Sequence, residues 1–212
     1  KVFNWMAIGH GLTGVVAFFT ASSVLAMSIV ATPLFFVLII AELGMVLYLS
    51  ARIDKIQPGT ATGVFLGYSV LNGLTLSAIF LSYTKASFGG TFLITAGMFG
   101  AMALYGLVTK RDLSGMGSFM FMGLIGIIIA SIVNIFLKSP AMQMIISYIG
   151  VLIFTGLTAY DTQKLKTMAT SQPAGLDAAV VRKGAIIGAL TLYLDFILMF
   201  QYLLMIFGGS RD

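Results

Sequence analysis

The stretch ALTLYLDFILMF, residues 189–200, carries one charge, Asp195, and no other charged residue stands between Gly184 and Ser210. A carboxylate placed in so long an apolar run has to be explained by its solvent. Of the 212 residues only 9% are charged, 59% are hydrophobic, and the mean hydropathy is +1.04. A soluble globular domain carries about a quarter charged residues. This chain cannot cover a water-facing surface, so lipid is its solvent over most of its area. It has no cysteine, which excludes disulfides and cysteine-based zinc or iron–sulfur sites. Its single histidine excludes a multi-histidine metal site within one chain. The net charge of +5 would point to nucleic acid in a soluble protein. In a membrane protein it reflects basic cytoplasmic loops, so no nucleic-acid partner is expected.

A membrane-spanning helix needs about 20 mostly apolar residues. Charges and prolines divide the chain into seven such runs, at roughly 4–28, 33–52, 61–83, 91–109, 117–137, 141–165 and 184–208. The expected architecture is an all-α, single-domain, seven-helix transmembrane bundle. Pro33, Pro58 and Pro140 each fall near the start of a run, where a missing N–H does little harm. Many of the 24 glycines, such as Gly97, Gly100, Gly123 and Gly126, lie inside runs, where small residues let helices pack closely. A transmembrane β-barrel would show alternating segments of about ten residues instead.

Lysine and arginine counts set the orientation. Lys1, Arg52, Lys55, Lys110, Arg111, Lys164, Lys166, Arg182 and Lys183 fall on the N-terminal side of the membrane, nine in all. Lys85, Lys138 and Arg211 fall on the other, three in all. The expectation is a multi-pass protein with a cytoplasmic N-terminus and an external C-terminus. No cleavable signal peptide is visible, and the abrupt start at Lys1 leads us to expect a further N-terminal tail. The one long link is expected at 166–183.

Ionisable groups inside a bilayer cost roughly 2.5–3.5 kcal/mol on insertion scales and tend to mark function. Asp195 lies about 12 residues, or ~18 Å, beyond Lys183, close to the midplane. On a helical wheel Gly184, Gly188, Thr191, Asp195 and Tyr202 share one face, which is expected to turn toward protein or water. Its bland reading is a buried structural acid. Asp161, in GLTAYDTQKLK, closes the sixth run. It reads equally as a helix-end carboxylate beside Lys164 and as part of a site. Depth counting leaves it ~10 Å below Asp195, a gap that helix tilt would have to close. Glu42, midway along its run, is expected to be protonated or paired. It belongs either to the same pathway or to a structural hydrogen bond as donor, and the second reading is favoured. Arg52 either snorkels to the headgroups or pairs with a carboxylate. His10 is expected to bond a neighbouring helix. GHGLTG at 9–14 matches a nucleotide-binding spacing, but without a preceding strand its glycines are better explained by close helix packing.

Two interior carboxylates with few basic partners point to a cation or proton site. Hard cations such as Ca²⁺ prefer oxygen ligands. Two carboxylates brought close share a proton and titrate as a pair, giving a pH switch without histidine.

Three stretches resemble a known family: GLTAYDTQKLK, GALTLYLDFILMF, and TKRDLSGMGSFMFMGLIGIIIASIVNIFLKSPAM at 109–142. They look like those of the transmembrane Bax inhibitor motif proteins, in their bacterial inner-membrane branch of Bax inhibitor-1/YccA-like proteins. The likeness covers essentially the whole chain. It implies a seven-helix bundle with the last helix central between two three-helix layers. It also implies a pH-sensitive Ca²⁺ leak. Asp161 and Asp195 match the family's hydrogen-bonded pH-sensing pair and are the candidate Ca²⁺ contacts. Arg52 is the nearest candidate for the arginine that latches the closed state, although the register of YLSARIDK departs from the family pattern. Glu42 corresponds to an acidic residue of the relatives' second helix. No enzyme activity and no tightly bound cofactor are expected, and Ca²⁺ is the expected permeant ion.

Two rivals belong to other classes. One is a non-conducting regulatory partner of a membrane protease such as FtsH, to which some bacterial relatives are linked. The other is an intramembrane aspartyl protease. Its Gly-x-Gly-Asp motif is absent, since Asp161 follows Ala-Tyr and Asp195 follows Tyr-Leu.

Overall fold

A computed structural model describes residues 1–208 other than Ser22, Gln172 and Ala174, with only the backbone described for residues 24, 25, 30, 31, 82 and 85. Arg211, counted above for orientation, lies outside the described residues. The chain forms α1 (Val2–Ala21), α2 (Val24–Ala31), α3 (Leu34–Arg52), α4 (Pro58–Ser82), α5 (Lys85–Val108), α6 (Ser114–Leu137), α7 (Pro140–Thr170) and α8 (Ala178–Phe207). Seven of these are long and apolar enough to cross a membrane, as the apolar runs predict.

The first run differs from expectation. Residues 4–28 read as one helix, but the structure divides them into α1 and the short α2. Ser23 has an extended backbone, and its Oγ donates to Thr20 O at 2.6 Å. Serine hydroxyls compete with the helical ladder in this way, and a hydropathy reading does not register it. The long link also shrinks, because α7 continues to Thr170 and α8 starts at Ala178.

Local chemistry fixes several helix ends. Pro58 and Pro140 begin α4 and α7, where the missing N–H costs nothing. The Ser139 hydroxyl caps α7 by accepting from Met142 N at 3.3 Å. Asn134 near the end of α6 accepts from Ser139 N through Oδ1 at 3.1 Å, closing the tight α6–α7 turn. Lys138 in that turn takes a left-handed backbone, φ 49°.

The chain divides into two compact units, each described by itself. The first holds α1–α4 and α8 up to Tyr193; the second holds α5–α7 and α8 from Leu194. In the first, α4 packs against α1, α2 and α3. In the second, α7 packs against α5 and α6. Glycines permit the closest approaches. A Cβ at Gly73 would meet Thr13 O of α1 at 2.8 Å, and one at Gly106 would meet Ala159 O of α7 at 2.3 Å. Gly9 of the GHGLTG stretch packs on Phe65, as close helix packing requires, whereas Gly11 and Gly14 face open space. The helices α3 and α6 keep broad apolar surfaces exposed, including Phe36, Ile40, Phe119 and Phe136, as lipid-facing helices do.

An intramembrane aspartate pair as candidate functional site

The helix α8 is buried around most of its circumference from Ala185 to Leu204, and Ile186, Ala189, Leu192, Tyr193 and Met199 have no exposure. The expectation named one face, that of Gly184, Gly188, Thr191, Asp195 and Tyr202, as turned toward protein or water. Gly184 is exposed, and Thr191 is half-buried with its hydroxyl on Ile187 O of its own helix at 3.1 Å. A helix that is apolar all round is a buried helix, and the stripe was too narrow a description. Asp195 is 4% exposed. Its neighbour Phe196 meets the edges of Phe92 and Phe99 of α5, with ring centroids 5.6 Å apart in both pairs. Met199 and Leu203, one and two turns on, pack with Ile127 of α6 and Ile146, Phe154 and Leu157 of α7. Asp195 therefore sits at the edge of a dry core.

Its partner is Asp161 of α7, and the two carboxyl groups lie within hydrogen-bonding reach of each other. Two carboxylates have no proton to share, so the bond requires one protonated member that donates to the other. The depth estimate had left Asp161 ~10 Å lower, and the length of α7 accounts for the difference. Its 31 residues run about 46 Å, well beyond the ~30 Å hydrocarbon, so a count from its first residue places no side chain by depth. Asp195 Oδ2 is buried without a hydrogen-bond partner among the described residues. Thr162 Oγ1, next to Asp161, is buried and unpartnered in the same sense.

Asp161 also feels the charge of Lys164, whose Nζ lies 5.8 Å from the Tyr160 ring centroid.

Residues flanking Asp161 are pinned on both sides. Ala159 O and Thr162 lie against Gly106 of α5, and the Tyr160 ring lies against Gly117 of α6. One turn on, the Gln163 side chain stitches the α5–α6 link: Oε1 accepts from Leu113 N at 2.9 Å and Nε2 donates to Arg111 O at 2.7 Å. Lys166 Nζ donates to Leu107 O at the end of α5, 2.6 Å away. Asp112 in that link accepts from Ser114 N at 2.9 Å and from Ser114 Oγ at 2.6 Å. These two bonds hold its exposed carboxyl below the usual carboxylate range. Sequence reasoning missed Gly106, Gly117 and Gln163. The glycines were visible as small residues in apolar runs, but their partners on α7 were not.

Other candidates lie elsewhere. Arg52 ends α3 with an exposed side chain that has no hydrogen bond or ion pair among the described residues. Glu42 of α3 is partly buried and engages Thr75 and Asn72 of α4; the Asn72 amide donates to Oε2 at 3.2 Å, so Glu42 is an acceptor there and not only a donor. His10 Nδ1 donates to Met6 O of its own helix at 2.9 Å, and its ring lies 4.3 Å from that of Tyr193 of α8. Among the described residues no three or more His, Cys, Asp or Glu side chains converge on a metal position. The pair can hold a proton or lend two carboxylates to a passing cation. It does not supply the six to eight oxygens of a resident Ca²⁺ cage.

A family profile described as "Inhibitor of apoptosis-promoting Bax1" matches residues 1–212. The chain is 54% identical over 213 residues to the inner membrane protein YbhL of Escherichia coli K12, covering 100% of this chain and 91% of that protein. It is 44% identical over 214 residues to an uncharacterized protein of Borreliella burgdorferi, with 100% and 91% coverage. An uncharacterized membrane protein of Streptococcus pyogenes serotype M1 is 38% identical over 216 residues, with 99% and 91% coverage.

Proposed function

The chain belongs to the family of inhibitors of apoptosis-promoting Bax1, and from that premise we propose that it is a pH-sensitive calcium leak of the bacterial inner membrane, gated by its intramembrane aspartate pair. The observation that carries the reading is the hydrogen bond between Asp161 and Asp195 inside the apolar span. A carboxyl pair of this kind holds one proton and one negative charge. Losing the proton puts two like charges in contact, which cannot persist in a low dielectric. Gaining a second proton removes the charge that a cation would follow. The protonation state of the pair thus selects between different local structures, which is the requirement for a pH gate. Arg52 is the candidate latch for the closed state, and Glu42 is an additional candidate along the ion route.

In this reading the protein works without catalysis and without a tightly bound cofactor. Ca²⁺ and protons are its cargo and its signal. The distribution of basic residues supports a cytoplasmic N-terminus and a periplasmic C-terminus. Reconstitution into liposomes with a trapped calcium indicator tests the proposal. Calcium entry above that of empty liposomes, changing across neutral pH, is the expected result. No entry at any pH, together with co-purification of a membrane protease of the FtsH type, would replace it with the regulatory-partner reading.

A further inference from the structure

A second buried polar network lies in the first unit and is chemically independent of the aspartate pair. It begins at Thr13 of α1, whose hydroxyl lies 2.6 Å from the Tyr193 hydroxyl of α8 and 2.8 Å from Ser69 O of α4. Tyr193 donates to Asn72 Oδ1 at 3.0 Å. The Asn72 amide donates to Glu42 Oε2 at 3.2 Å. Thr75 reaches the other oxygen, Oε1, of Glu42.

The proton count makes this network informative. A threonine or tyrosine hydroxyl has one proton to give. Thr13 and Tyr193 hold two protons for three contacts, with Ser69 O, with Asn72 Oδ1 and with each other, so one of the three goes without a proton at any moment. Asn72 accepts from Tyr193 through Oδ1 and gives its amide proton to the Glu42 carboxylate. At the far end Thr75 has two acceptors in reach, Glu42 Oε1 and Leu71 O, the latter at 3.2 Å. With Glu42 ionised, the Thr75 proton serves Oε1. With Glu42 protonated, the acid donates to Thr75 Oγ1, and Thr75 turns its own proton to Leu71 O. Both states are satisfied by rotating one hydroxyl, with no heavy atom displaced.

We propose that Glu42 is a proton-binding site in its own right, served by Thr75 as a hydroxyl rotor and by Asn72 as a fixed donor. A purely structural carboxyl would need a satisfied partner set in one protonation state; this one has a set for each. The titratable groups facing Glu42 are Tyr68 of α4 and Tyr193 of α8, both close enough to feel its charge. His10 of α1 lies behind Tyr193 against its ring. The short α2, which also packs on α3, carries no titratable residue. No cation stands close to Glu42 among the described residues, so the hydroxyl and amide donors are what hold its charge.

The test is infrared difference spectroscopy of the full chain in lipid, following the carboxylic-acid carbonyl band as pH is varied. The wild type should show an acid band that titrates and that Glu42→Gln removes. Gln is the isostere of the protonated form, so this variant is expected to fold. The Asp161→Asn and Asp195→Asn variants should leave the band in place, which separates this site from the proposed gate. Thr75→Val should move the band's midpoint to higher pH, because the bond to the ionised form is charge-assisted and the stronger of the two. Thr75→Ser should leave the midpoint where it is. A band insensitive to Glu42→Gln, or one that Thr75→Val does not move, would overturn the proposal. Should Glu42→Gln not fold, the Thr75→Val and Thr75→Ser pair, read on the wild-type band with both aspartates changed to asparagine, decides alone. No flux enters this measurement, so its outcome is separate from that of the calcium proposal.

Discussion

Asp195 is costly because of what surrounds it, and tolerated because of one partner. At 4% exposure it is buried, and Asp161 is its partner. The partner atoms matter more than the charge. Asp195→Asn keeps a donor for an ionised Asp161 and should fold as the wild type does. Asp195→Leu strands the Asp161 carboxyl and should cost about 1–3 kcal/mol of stability. Unfolding in detergent, followed by far-UV circular dichroism, checks this. Equal stability of the Leu and Asn variants would mean that the bond contributes nothing. The unusual charge was legible in the sequence, since an ionisable group inside an apolar run is costly. Its partner was not legible from depth, because a helix longer than the hydrocarbon hides the height of each residue. Only the family resemblance pointed to Asp161.

Between helices, close contact at glycine decides where Asp161 is held. At Gly106 the neighbouring atom is the backbone Ala159 O, which cannot rotate away, so Gly106→Ala should destabilise by about 1–3 kcal/mol. Gly97 on the same helix faces open space, and Gly97→Ala should be tolerated. Thermal unfolding of the two variants side by side tests the contrast. At the entry to α6, the Asp112 carboxyl is held below its usual range by Ser114. A group whose folded pKa is depressed contributes stability above its unfolded pKa and loses it as pH falls through the folded value. Amide exchange at Ser114 should therefore lose protection in acid, and Asp112→Ala should lose it at neutral pH as well. Unchanged protection in the variant would remove Asp112 from the cap. Helix count and approximate limits were legible because lipid demands unbroken apolar runs bounded by charge. The break at Ser23 was not, because serine is apolar enough to pass in such a run while its hydroxyl rewires the backbone. Nor was the network of Thr13, Asn72, Tyr193 and Glu42, whose members lie on four helices and meet only in three dimensions.

Over the whole molecule the account rests on seven spans and on basic residues gathered on one side. The chain contains no cysteine, so single cysteines report topology without background. Lys55→Cys, between α3 and α4, should react with a membrane-impermeant maleimide only after permeabilisation. Ala141→Cys, at the start of α7, should react in intact cells once the outer membrane is passed. The opposite pattern would invert the orientation and place Asp161 near the outer face. The central claim is that the Asp161–Asp195 pair makes a calcium path sensitive to pH. The pH profile of calcium entry into liposomes carrying wild type, Asp161→Asn or Asp195→Asn tests it most directly. The account predicts entry that changes across neutral pH in the wild type and a flattened profile in both variants. Wild-type entry and an unaltered pH profile in either variant would contradict it.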